Sequence, residues 1–490
     1  MHINYLSSVK NNTSSKHKFL RRIALNALII ILLPAGHPAH AQAKKSLNLQ
    51  QTRKNKTEYS KKIKPDFESI DAKILQWQKD LNIPNIGLGI IENNILVKEK
   101  VYGNDYKGQP APKNMLFEVA SVTKVVFTMM VLKLVQTGKW SLDEPLYSYY
   151  VDPEVASSPY AKVITTRHIL SQQSGFDNWR WMNPSGKLTF NFEPGTKFNY
   201  SGEGMEYLRL AIEHKFHKSL KQLSDSVLFK PLQMNDTSHD WDGKKKFPRY
   251  SRMFDVGGKE IIKTNYSVQA SAAAGLTTTV DDLSKFAIEV LKGAHLSKAL
   301  YADMVRKQAV ISPNLQQGLG WRIISGLPGD EYALEHEGND PGVASIIVLL
   351  PKSKQGIIVL TNGDNGLIMC NNIVRAAFSQ GATIIYKAHK SAPLGKIPPT
   401  VTLGDSVLKS YVGNYKRSDG VDVTVTLKNK GLILKMAGIP VLNLIPQSEN
   451  RFYLLDLDAK IFFTKTANGR ATSVSIEDGQ NVIKCERISN

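Results

Sequence analysis

The chain has 490 residues, which is too long for one ordinary domain and indicates two or three folded units. Apolar residues make up 42% of it, enough for a sizeable core, and its formal net charge is +20. Thirteen of its Lys and Arg residues lie within residues 1–65 beside a single acidic residue. Because a nucleic-acid-binding protein spreads its basic charge over a folded face, this N-terminal concentration of charge excludes a nucleic-acid partner from our expectations.

The N-terminal segment has the features of an export signal. Two arginines precede an apolar run over residues 23–33, and the sequence AHA at 39–41 offers small residues for cleavage. This run is too short for a permanent membrane helix, although an uncleaved anchor is the alternative. We expect a signal peptide over 1–41, a periplasmic or extracellular location, and a solvated linker over 42–65 whose basic charge suits contact with the cell envelope.

Beyond the linker, the predicted elements run from strands through helices and back to strands. The periodicity predicts a helix over 67–81, a hairpin over 86–103 that turns at Asn93-Asn94, an apolar helix over 117–136 and a helix-rich middle to about residue 310. The later elements are strands at 319–324, 332–338, 342–351 and 356–362 and a helix at 366–379. This order predicts one antiparallel sheet assembled from both ends of the domain, with a helical lobe beside it.

A change of pattern marks the C-terminal part of the chain. The Pro- and Gly-rich stretch around 391–400 predicts a linker over 391–404, which ends a domain at 66–390. Residues 405–490 alternate strictly between apolar and polar side chains, as at 421–427. This alternation is typical of half-buried strands and predicts a small all-β barrel or sandwich.

The chain has only two cysteines, Cys370 and Cys485, in different predicted domains. They do not form a C-x-x-C pair, and no metal-binding or nucleotide-binding motif is present, so we expect neither a metal ion nor another cofactor. Export permits a disulfide between the two cysteines, whereas their wide separation favours two free thiols. Both alternatives remain open from the sequence.

A hydroxyl and an amine stand together where the apolar run of 117–136 begins. Ser121 and Lys124 are three residues apart, a spacing that places side chains beside each other on a helix. A serine becomes nucleophilic when a base takes its proton, and a buried, neutral lysine amine can be that base. The Ser-x-x-Lys spacing occurs four times in the chain, and a helix-capping serine with a lysine that reaches solvent is the alternative.

Two later residues are further candidates for a site. Tyr200 lies in a Gly-rich turn before a predicted helix and can present its phenol to a pocket. His336 lies near the end of a predicted strand and is followed by Gly338, where a substrate backbone can approach closely. Taken singly, a tyrosine or a histidine at such a position is more often a structural residue than a functional one.

In this order the motifs resemble those of the serine β-lactamase and penicillin-binding-protein superfamily, closest to class C β-lactamases and their esterase and D-aminopeptidase relatives. That family carries Ser-x-x-Lys, then Tyr-x-Asn, then Lys-Thr-Gly or His-x-Gly. The resemblance covers about residues 66–385 and includes further phrases at 165–176, 228–238 and 272–287. It implies a mixed α/β fold with an antiparallel sheet flanked by helices, and the C-terminal unit resembles the lipocalin-like barrel appended to several such hydrolases.

The resemblance also implies a role for each matching residue. Ser121 becomes the acylated nucleophile, Lys124 its proton acceptor, and Tyr200 the group that transfers protons to the leaving group. His336 stands at the position of the third motif. The oxyanion hole is implied to consist of the backbone N–H groups of Ser121 and Asn339, close to the substrate-binding residue Gly338.

Two positions depart from the family pattern. Gly202 replaces the asparagine that holds the substrate's side-chain amide, and His336 replaces the lysine of the third motif. A histidine near the ordinary pKa of about 6.5 is mostly neutral at pH 7.5, so the preference for carboxylate substrates is expected to rise as the pH falls towards 6.

These departures favour the hydrolysis of small esters or of D-amino-acid, peptide-like amides over β-lactam turnover. A β-lactamase or a D-Ala-D-Ala carboxypeptidase is the alternative activity. A catalytically silent envelope-binding protein is the alternative from another class. The sequence gives no indication of the oligomeric state.

Overall fold

The computed structural model of the chain describes residues 67–239, 247–262, 270–389, 401–418, 420–428, 431–436, 442–454, 459–466, 469–478 and 481–488. The predicted signal peptide, the linker over 42–65 and most of the linker over 391–404 lie outside these residues. Among the helices that are described, none combines the length and the apolar character needed to cross a membrane.

The α-helices of the described residues are α1 (Phe67–Asp80), α2 (Thr123–Gln136), α3 (Thr166–Leu170), α4 (Gly202–Phe216), α5 (Leu220–Ser224), α6 (Val280–Leu291), α7 (Lys298–Val305), α8 (Gly366–Ala377), α9 (Gly381–His389) and α10 (Asp405–Tyr411). Most of the helices between α2 and α7 belong to the predicted helix-rich middle of the chain.

The strands before the C-terminal part are β1 (Ile86–Glu92), β2 (Ile95–Tyr102), β3 (Phe117–Glu118), β4 (Met253–Phe254), β5 (Glu260–Ile261), β6 (Thr277–Thr278), β7 (Ala309–Ser312), β8 (Leu315–Gln317), β9 (Arg322–Leu327), β10 (Glu331–Asp340), β11 (Val343–Leu350) and β12 (Gln355–Thr361). Eight of them form one sheet in the order β2-β1-β12-β11-β10-β9-β8-β7, and its neighbouring strands are antiparallel.

The sheet joins the two ends of the domain, as the sequence predicted. Its β1–β2 hairpin turns at Asn93 and Asn94, whose φ values of 52° and 62° suit the tight left-handed turn that asparagine favours. Strand β1 then pairs with β12, with Ile86 opposite Thr361. The mixed α/β fold with an antiparallel sheet flanked by helices is therefore confirmed.

Separate apolar cores cover the two faces of the sheet. One core contains α2 and α6, and the other contains α1, α8 and α9. Strand β11 is buried along its whole length because successive side chains point alternately into the two cores. This explains why β11 reads as a continuous apolar run rather than an alternating one.

Two predicted boundaries differ from the structure, each because of a local turn. The helix predicted over 117–136 begins at Thr123, since Phe117–Glu118 pairs with β6 as a short strand. The strand predicted over 319–324 begins at Arg322, because Gly320 turns at a φ of 76° against the side chain of Thr128. Once formed, α2 is buried on nearly every side, as expected of a core helix.

The C-terminal strands are β13 (Gly413–Arg417), β14 (Asp422–Lys428), β15 (Gly431–Met436), β16 (Leu442–Pro446), β17 (Arg451–Leu454), β18 (Ala459–Lys465), β19 (Ala471–Asp478) and β20 (Asn481–Arg487). They close into an eight-stranded barrel in which β13 pairs with β20. The prediction of a small all-β barrel is confirmed, and its alternation places Val423 and Val425 in the barrel core.

Aromatic side chains fill much of the barrel interior. The rings of Tyr411, Phe452 and Phe463 contact one another, and Tyr415 packs beside them. Arg487 extends its guanidinium to the carbonyl oxygens of Ala471 at 2.8 Å and of other residues near α10. The interior is thus a packed core of the kind that eight-stranded barrels commonly have.

The two cysteines lie in different cores and are not joined by a disulfide. Cys370 lies on α8 beneath the large sheet, and Cys485 lies on β20 inside the barrel. Burial raises the pKa of the Cys370 thiol. Of the two alternatives left open by the sequence, the structure therefore shows the one without a disulfide.

The barrel shares a core with the domain that precedes it. Ile445 on β16 and Tyr453 on β17 are 7% and 5% exposed and belong to the cluster formed by α1, α8, α9 and the large sheet. Removal of the barrel would uncover this apolar patch, and hydrophobic burial is the main favourable term in folding.

A chain that ends at residue 398 is expected to keep its hydrolytic rate within about threefold, because every predicted site residue precedes residue 340. Its melting temperature should fall by several degrees as the apolar patch becomes exposed. Ester hydrolysis and thermal unfolding of the truncated and full chains measure the two effects, with full-length Ile445→Ala as a milder control. A truncated protein that is folded but inactive would show that the barrel contributes to the site.

Candidate active site

Ser121 lies at a tight bend between strand β3 and helix α2. The preceding residue, Ala120, takes a left-handed φ of 42°, and a short 3-10 turn joins the strand to the helix. The carbonyl oxygen of Val119 accepts a hydrogen bond from Ser345 Oγ on β11 at 2.8 Å, which ties the bend to the sheet. A non-glycine residue in this conformation is strained and persists only where its surroundings hold it, which is common at functional sites.

Lys124 is buried directly beneath Ser121. Its side chain donates hydrogen bonds from Nζ to Ser121 Oγ at 3.0 Å and to the carbonyl oxygen of Ala273 at 2.8 Å. The residue is 1% exposed, so it does not reach solvent, and Ser121 does not cap α2. The geometry therefore differs from the capping alternative and places an amine within hydrogen-bonding distance of the hydroxyl.

Tyr200 approaches the same amine from the segment that precedes α4. The centre of its ring lies 4.8 Å from Lys124 Nζ and 6.4 Å from the centre of the His336 ring. The next residue, Ser201, caps α4 by accepting a hydrogen bond from Gly204 N at 2.9 Å. The start of α4 thus holds Tyr200 beside the amine, and the structure brings the four predicted side chains together.

His336 faces this site from β10 and is 4% exposed. Its Nδ1 donates to the carbonyl oxygen of Glu337 at 2.8 Å, an arrangement that suits a neutral ring. Burial, assisted by the positive charge of Arg322, lowers the pKa of His336 to about 3. The ring is therefore neutral throughout the pH range 6 to 8. The expectation that its charge increases as the pH falls towards 6 is wrong, because it assumed an exposed histidine.

Gly338 brings β10 against the bend at Ser121. A Cβ atom at this position would overlap the carbonyl oxygen of Val119 and would lie 2.9 Å from Ser121 N. Only glycine allows the strand to approach the nucleophile's backbone this closely. Asn339 follows on the strand, opposite Ala344 on β11, and is exposed. The predicted oxyanion donors, the amides of Ser121 and Asn339, therefore belong to adjoining segments.

An aromatic ring occupies the space beside Gly202 at the start of α4. A Cβ atom at Gly202 would lie 2.8 Å from the ring of Trp179. Arg180 anchors the segment that carries this ring. It donates to Glu203 Oε1 at 3.2 Å and to Glu203 Oε2 and Asp152 Oδ2 at 3.0 Å. An asparagine at position 202 would thus clash with Trp179 unless the ring moved.

A partly buried ionic cluster lies on the face of β10 opposite His336. It contains Glu335, Glu337, the neighbouring Arg322 on β9, and His389 at the end of α9. Arg322 Nε lies 2.7 Å from Glu335 Oε2, and Arg322 Nη2 lies 3.1 Å from Glu337 Oε1. Burial raises the pKa of Glu335, which is fully buried.

The carboxylates and His389 of this ionic cluster offer ligand atoms within 4.8 Å of one another, a spacing that a metal ion can use. However, the guanidinium of Arg322 already supplies the positive charge between the two carboxylates. We therefore describe the cluster as an ion-pair network and assign no metal ion to it.

Several features of the site were not predicted from the sequence. These are the Ala273 carbonyl that holds Lys124, the Trp179 ring over Gly202 and the left-handed backbone at Ala120. The first two depend on residues that lie far apart in the chain, 149 positions in the case of Lys124 and Ala273. The run of small residues at 272–275 was the one available signal, since a backbone can approach a side chain closely there.

Comparison with known proteins identifies related families for both parts of the chain. A family model described as Beta-lactamase matches residues 70–372, and one described as Domain of unknown function (DUF3471) matches residues 398–487. Penicillin-binding protein 4* of Bacillus subtilis (strain 168) is 25% identical over 419 residues, which cover 77% of this chain and 89% of that protein.

Two solved structures share the fold. The octameric penicillin-binding protein homologue from Pyrococcus abyssi has a TM-score of 0.53 at 18% identity, covering 86% of this chain and 100% of its own. EstCE1, a hydrolase with promiscuous acyltransferase activity, has a TM-score of 0.54 at 16% identity, covering 64% of this chain and 98% of its own. With the family match, these likenesses confirm the resemblance stated from the motifs.

The buried imidazole of His336 is expected to make folding sensitive to acid. Because its pKa is about 3 when folded and about 6.5 when unfolded, the unfolded chain binds the extra proton first as the pH falls through 6.5. Between pH 7.5 and 5.0 the wild type should lose about 2 kcal/mol more unfolding free energy than His336→Gln. Denaturant titrations at both pH values measure this difference.

The exposed His217, changed to Asn, provides the matched control for this measurement. Other buried histidines titrate in both proteins and cancel in the comparison. Equal acid sensitivity of the wild type and His336→Gln would show that the ring does not stay neutral.

Proposed function

The chain belongs to the beta-lactamase family and is a serine hydrolase, and we propose that it works through an acyl-enzyme on Ser121. Its proposed substrates are small esters or D-amino-acid, peptide-like amides. One observation carries the proposal: a lysine amine that is 1% exposed lies 3.0 Å from the serine hydroxyl. A base at hydrogen-bonding distance from a serine hydroxyl is the arrangement that activates the oxygen for attack.

In the proposed reaction Lys124 takes the proton of Ser121 Oγ as the oxygen attacks the substrate carbonyl. The developing oxyanion lies against the amides of Ser121 and Asn339, and preorganised donors of this kind stabilise it more than the ground state. Tyr200 then delivers a proton to the leaving alcohol or amine, and the acyl group stays on the serine. In the second half of the reaction, water attacks the acyl-enzyme ester while Tyr200 accepts a proton from the water and Lys124 returns one to Ser121 Oγ. The acid product and the free enzyme are then released.

The substrate class follows from the two departures from the family pattern. At Gly202 the ring of Trp179 occupies the place of an amide side chain, so the site lacks that hydrogen-bonding group. The neutral ring of His336 offers no positive charge to a substrate carboxylate. Both features favour neutral esters and amides over penicillins and over peptides that end in D-alanine, the substrates of the alternative activities.

The silent-binding alternative is disfavoured by the intact pair of Ser121 and Lys124, whose side chains are hydrogen-bonded to each other. We also propose that residues 1–41 direct export. The basic segment 42–65 then lies in the cell envelope or outside the cell, where anionic polymers are the expected contact. The substrate is accordingly a small molecule or peptide of that compartment.

Replacement Ser121→Ala is expected to lower kcat for p-nitrophenyl acetate by at least a thousandfold without lowering the melting temperature, because no other group can form the acyl-enzyme. A fluorophosphonate probe should label the wild type on the peptide that contains Ser121, and it should leave the variant unlabelled by mass spectrometry. Activity within tenfold of the wild type would overturn the assignment.

The pair Gly202 and Trp179 provides a test of the substrate class. Gly202→Asn alone should lower the melting temperature, since its side chain meets the Trp179 ring. The double variant Gly202→Asn with Trp179→Ala has room for the amide. Its ratio of kcat/KM for nitrocefin to that for p-nitrophenyl acetate should rise about three- to tenfold, the value of one hydrogen bond.

Trp179→Ala alone is the matched control, because it opens the space without adding the amide. An unchanged ratio in the double variant, with the fold intact, would show that Gly202 does not face the substrate. In the wild type this ratio should stay constant from pH 6 to 8, because His336 remains neutral there.

A further inference from the structure

The acceptor that holds Lys124 is a backbone carbonyl in a segment without regular secondary structure. Residues 270–276, which precede β6, contain neither a helix nor a strand. The Ala273 carbonyl oxygen nevertheless has to stay 2.8 Å from Lys124 Nζ to orient the amine. A backbone of this kind needs other contacts to fix its position. The structure shows that these contacts converge on Glu206, a residue on α4 outside the predicted site.

Glu206 gathers the donors of this segment on one carboxylate oxygen. Its Oε1 accepts hydrogen bonds from Ser271 Oγ at 2.5 Å, from Ala272 N at 3.0 Å and from Ala273 N at 3.1 Å. Charge-assisted hydrogen bonds of this kind are stronger than neutral ones. One side chain therefore fixes consecutive backbone amides next to the carbonyl that holds the lysine.

Ser271 connects the carboxylate to the peptide unit that contacts Lys124. While its hydroxyl donates to Glu206, its Oγ accepts from Ala273 N at 3.1 Å and from Ala274 N at 3.0 Å. The Ala274 N–H and the Ala273 carbonyl belong to the same peptide group. Fixing the N–H through Ser271 thus orients the carbonyl on the opposite side towards Lys124.

Two further contacts hold the arrangement in place. Arg209, one turn along α4, donates from Nε to Glu206 Oε2 at 2.6 Å and leaves Oε1 to the segment. His239 contacts the Ser271 carbonyl through Nδ1 at 3.1 Å, so the segment is held from a second side. Because α4 begins two residues after Tyr200, the same helix positions both the tyrosine and the anchor of the lysine.

We propose that Glu206 is a positioning residue for catalysis, which acts through Ser271 and the Ala273 carbonyl to hold the Lys124 amine against Ser121. This role rests on the proposed acyl-enzyme function and does not require Glu206 to touch the substrate. Misplacement of a catalytic group by about 1 Å can cost on the order of a hundredfold in rate. Loss of the anchor therefore affects the chemical step rather than substrate binding.

The test compares Glu206→Ala, Glu206→Gln and Ser271→Ala in the full chain, with p-nitrophenyl acetate as substrate. Glu206→Ala should lower kcat ten- to a hundredfold with KM within about twofold, because substrate contacts are unchanged. Glu206→Gln keeps an acceptor oxygen and should recover kcat to within about fivefold. Ser271→Ala should lower kcat, and its combination with Glu206→Ala should be little worse than Glu206→Ala alone.

The division of the effect between kcat and KM, together with the rescue by Glu206→Gln, separates positioning from general damage to the fold. Equal losses of kcat in Glu206→Ala and Glu206→Gln would overturn the proposal, because an acceptor oxygen at this position would then make no difference.

Glu213→Gln is the matched control. Glu213 bonds the same arginine, at 2.5 Å from Arg209 Nη1, but its other oxygen accepts from Leu220 N rather than from the 271–274 segment. Its kcat and KM should equal those of the wild type. A loss equal to that of Glu206→Gln would overturn the proposal, because the effect would then come through Arg209 or the helix.

Failure of this inference is distinct from failure of the proposed function. Wild-type activity that survives Ser121→Ala overturns the acyl-enzyme. Activity that depends on Ser121 but keeps its kcat in Glu206→Ala and Ser271→Ala overturns the positioning role alone.

Discussion

The site depends on keeping one lysine amine out of water. An amine buried as deeply as that of Lys124 is unfavourable unless hydrogen bonds replace its hydration. The structure supplies such bonds to Ser121 Oγ and to the Ala273 carbonyl oxygen. Helix α2, which carries the lysine, is buried along most of its surface because its side chains are mostly apolar, and this burial also keeps water from the amine.

The large sheet contributes to this constraint through a single strand. Alternation along β10 directs His336 and Gly338 to the site, whereas Glu335 and Glu337 point to the opposite core. Arg322 compensates the two carboxylates from β9, and its charge also helps to keep His336 neutral. The polarity of the site and the ion pairs behind the sheet are thus coupled through adjacent residues.

Patterns in the sequence predicted the parts of the molecule whose structure is determined by residues close together in the chain. The Asn93-Asn94 turn, the alternation of the barrel strands and the Ser-x-x-Lys spacing all express short-range geometry, and the structure contains each of them. The expected charge of His336 was wrong because its pKa is set by burial and by Arg322 on the neighbouring strand, not by residues next to it in the sequence. The anchor provided by Glu206 was missed for the same reason.

The place of β1 within the sheet sets an order of events during synthesis. This strand emerges early from the ribosome, but its second neighbour, β12, lies more than 250 residues later, since Ile86 pairs with Thr361. Until β12 emerges, the first hairpin exposes an unpaired apolar edge of the kind that invites aggregation. Long-range pairing of this kind is slow, so β1 gains its second neighbour only after most of the domain has been made.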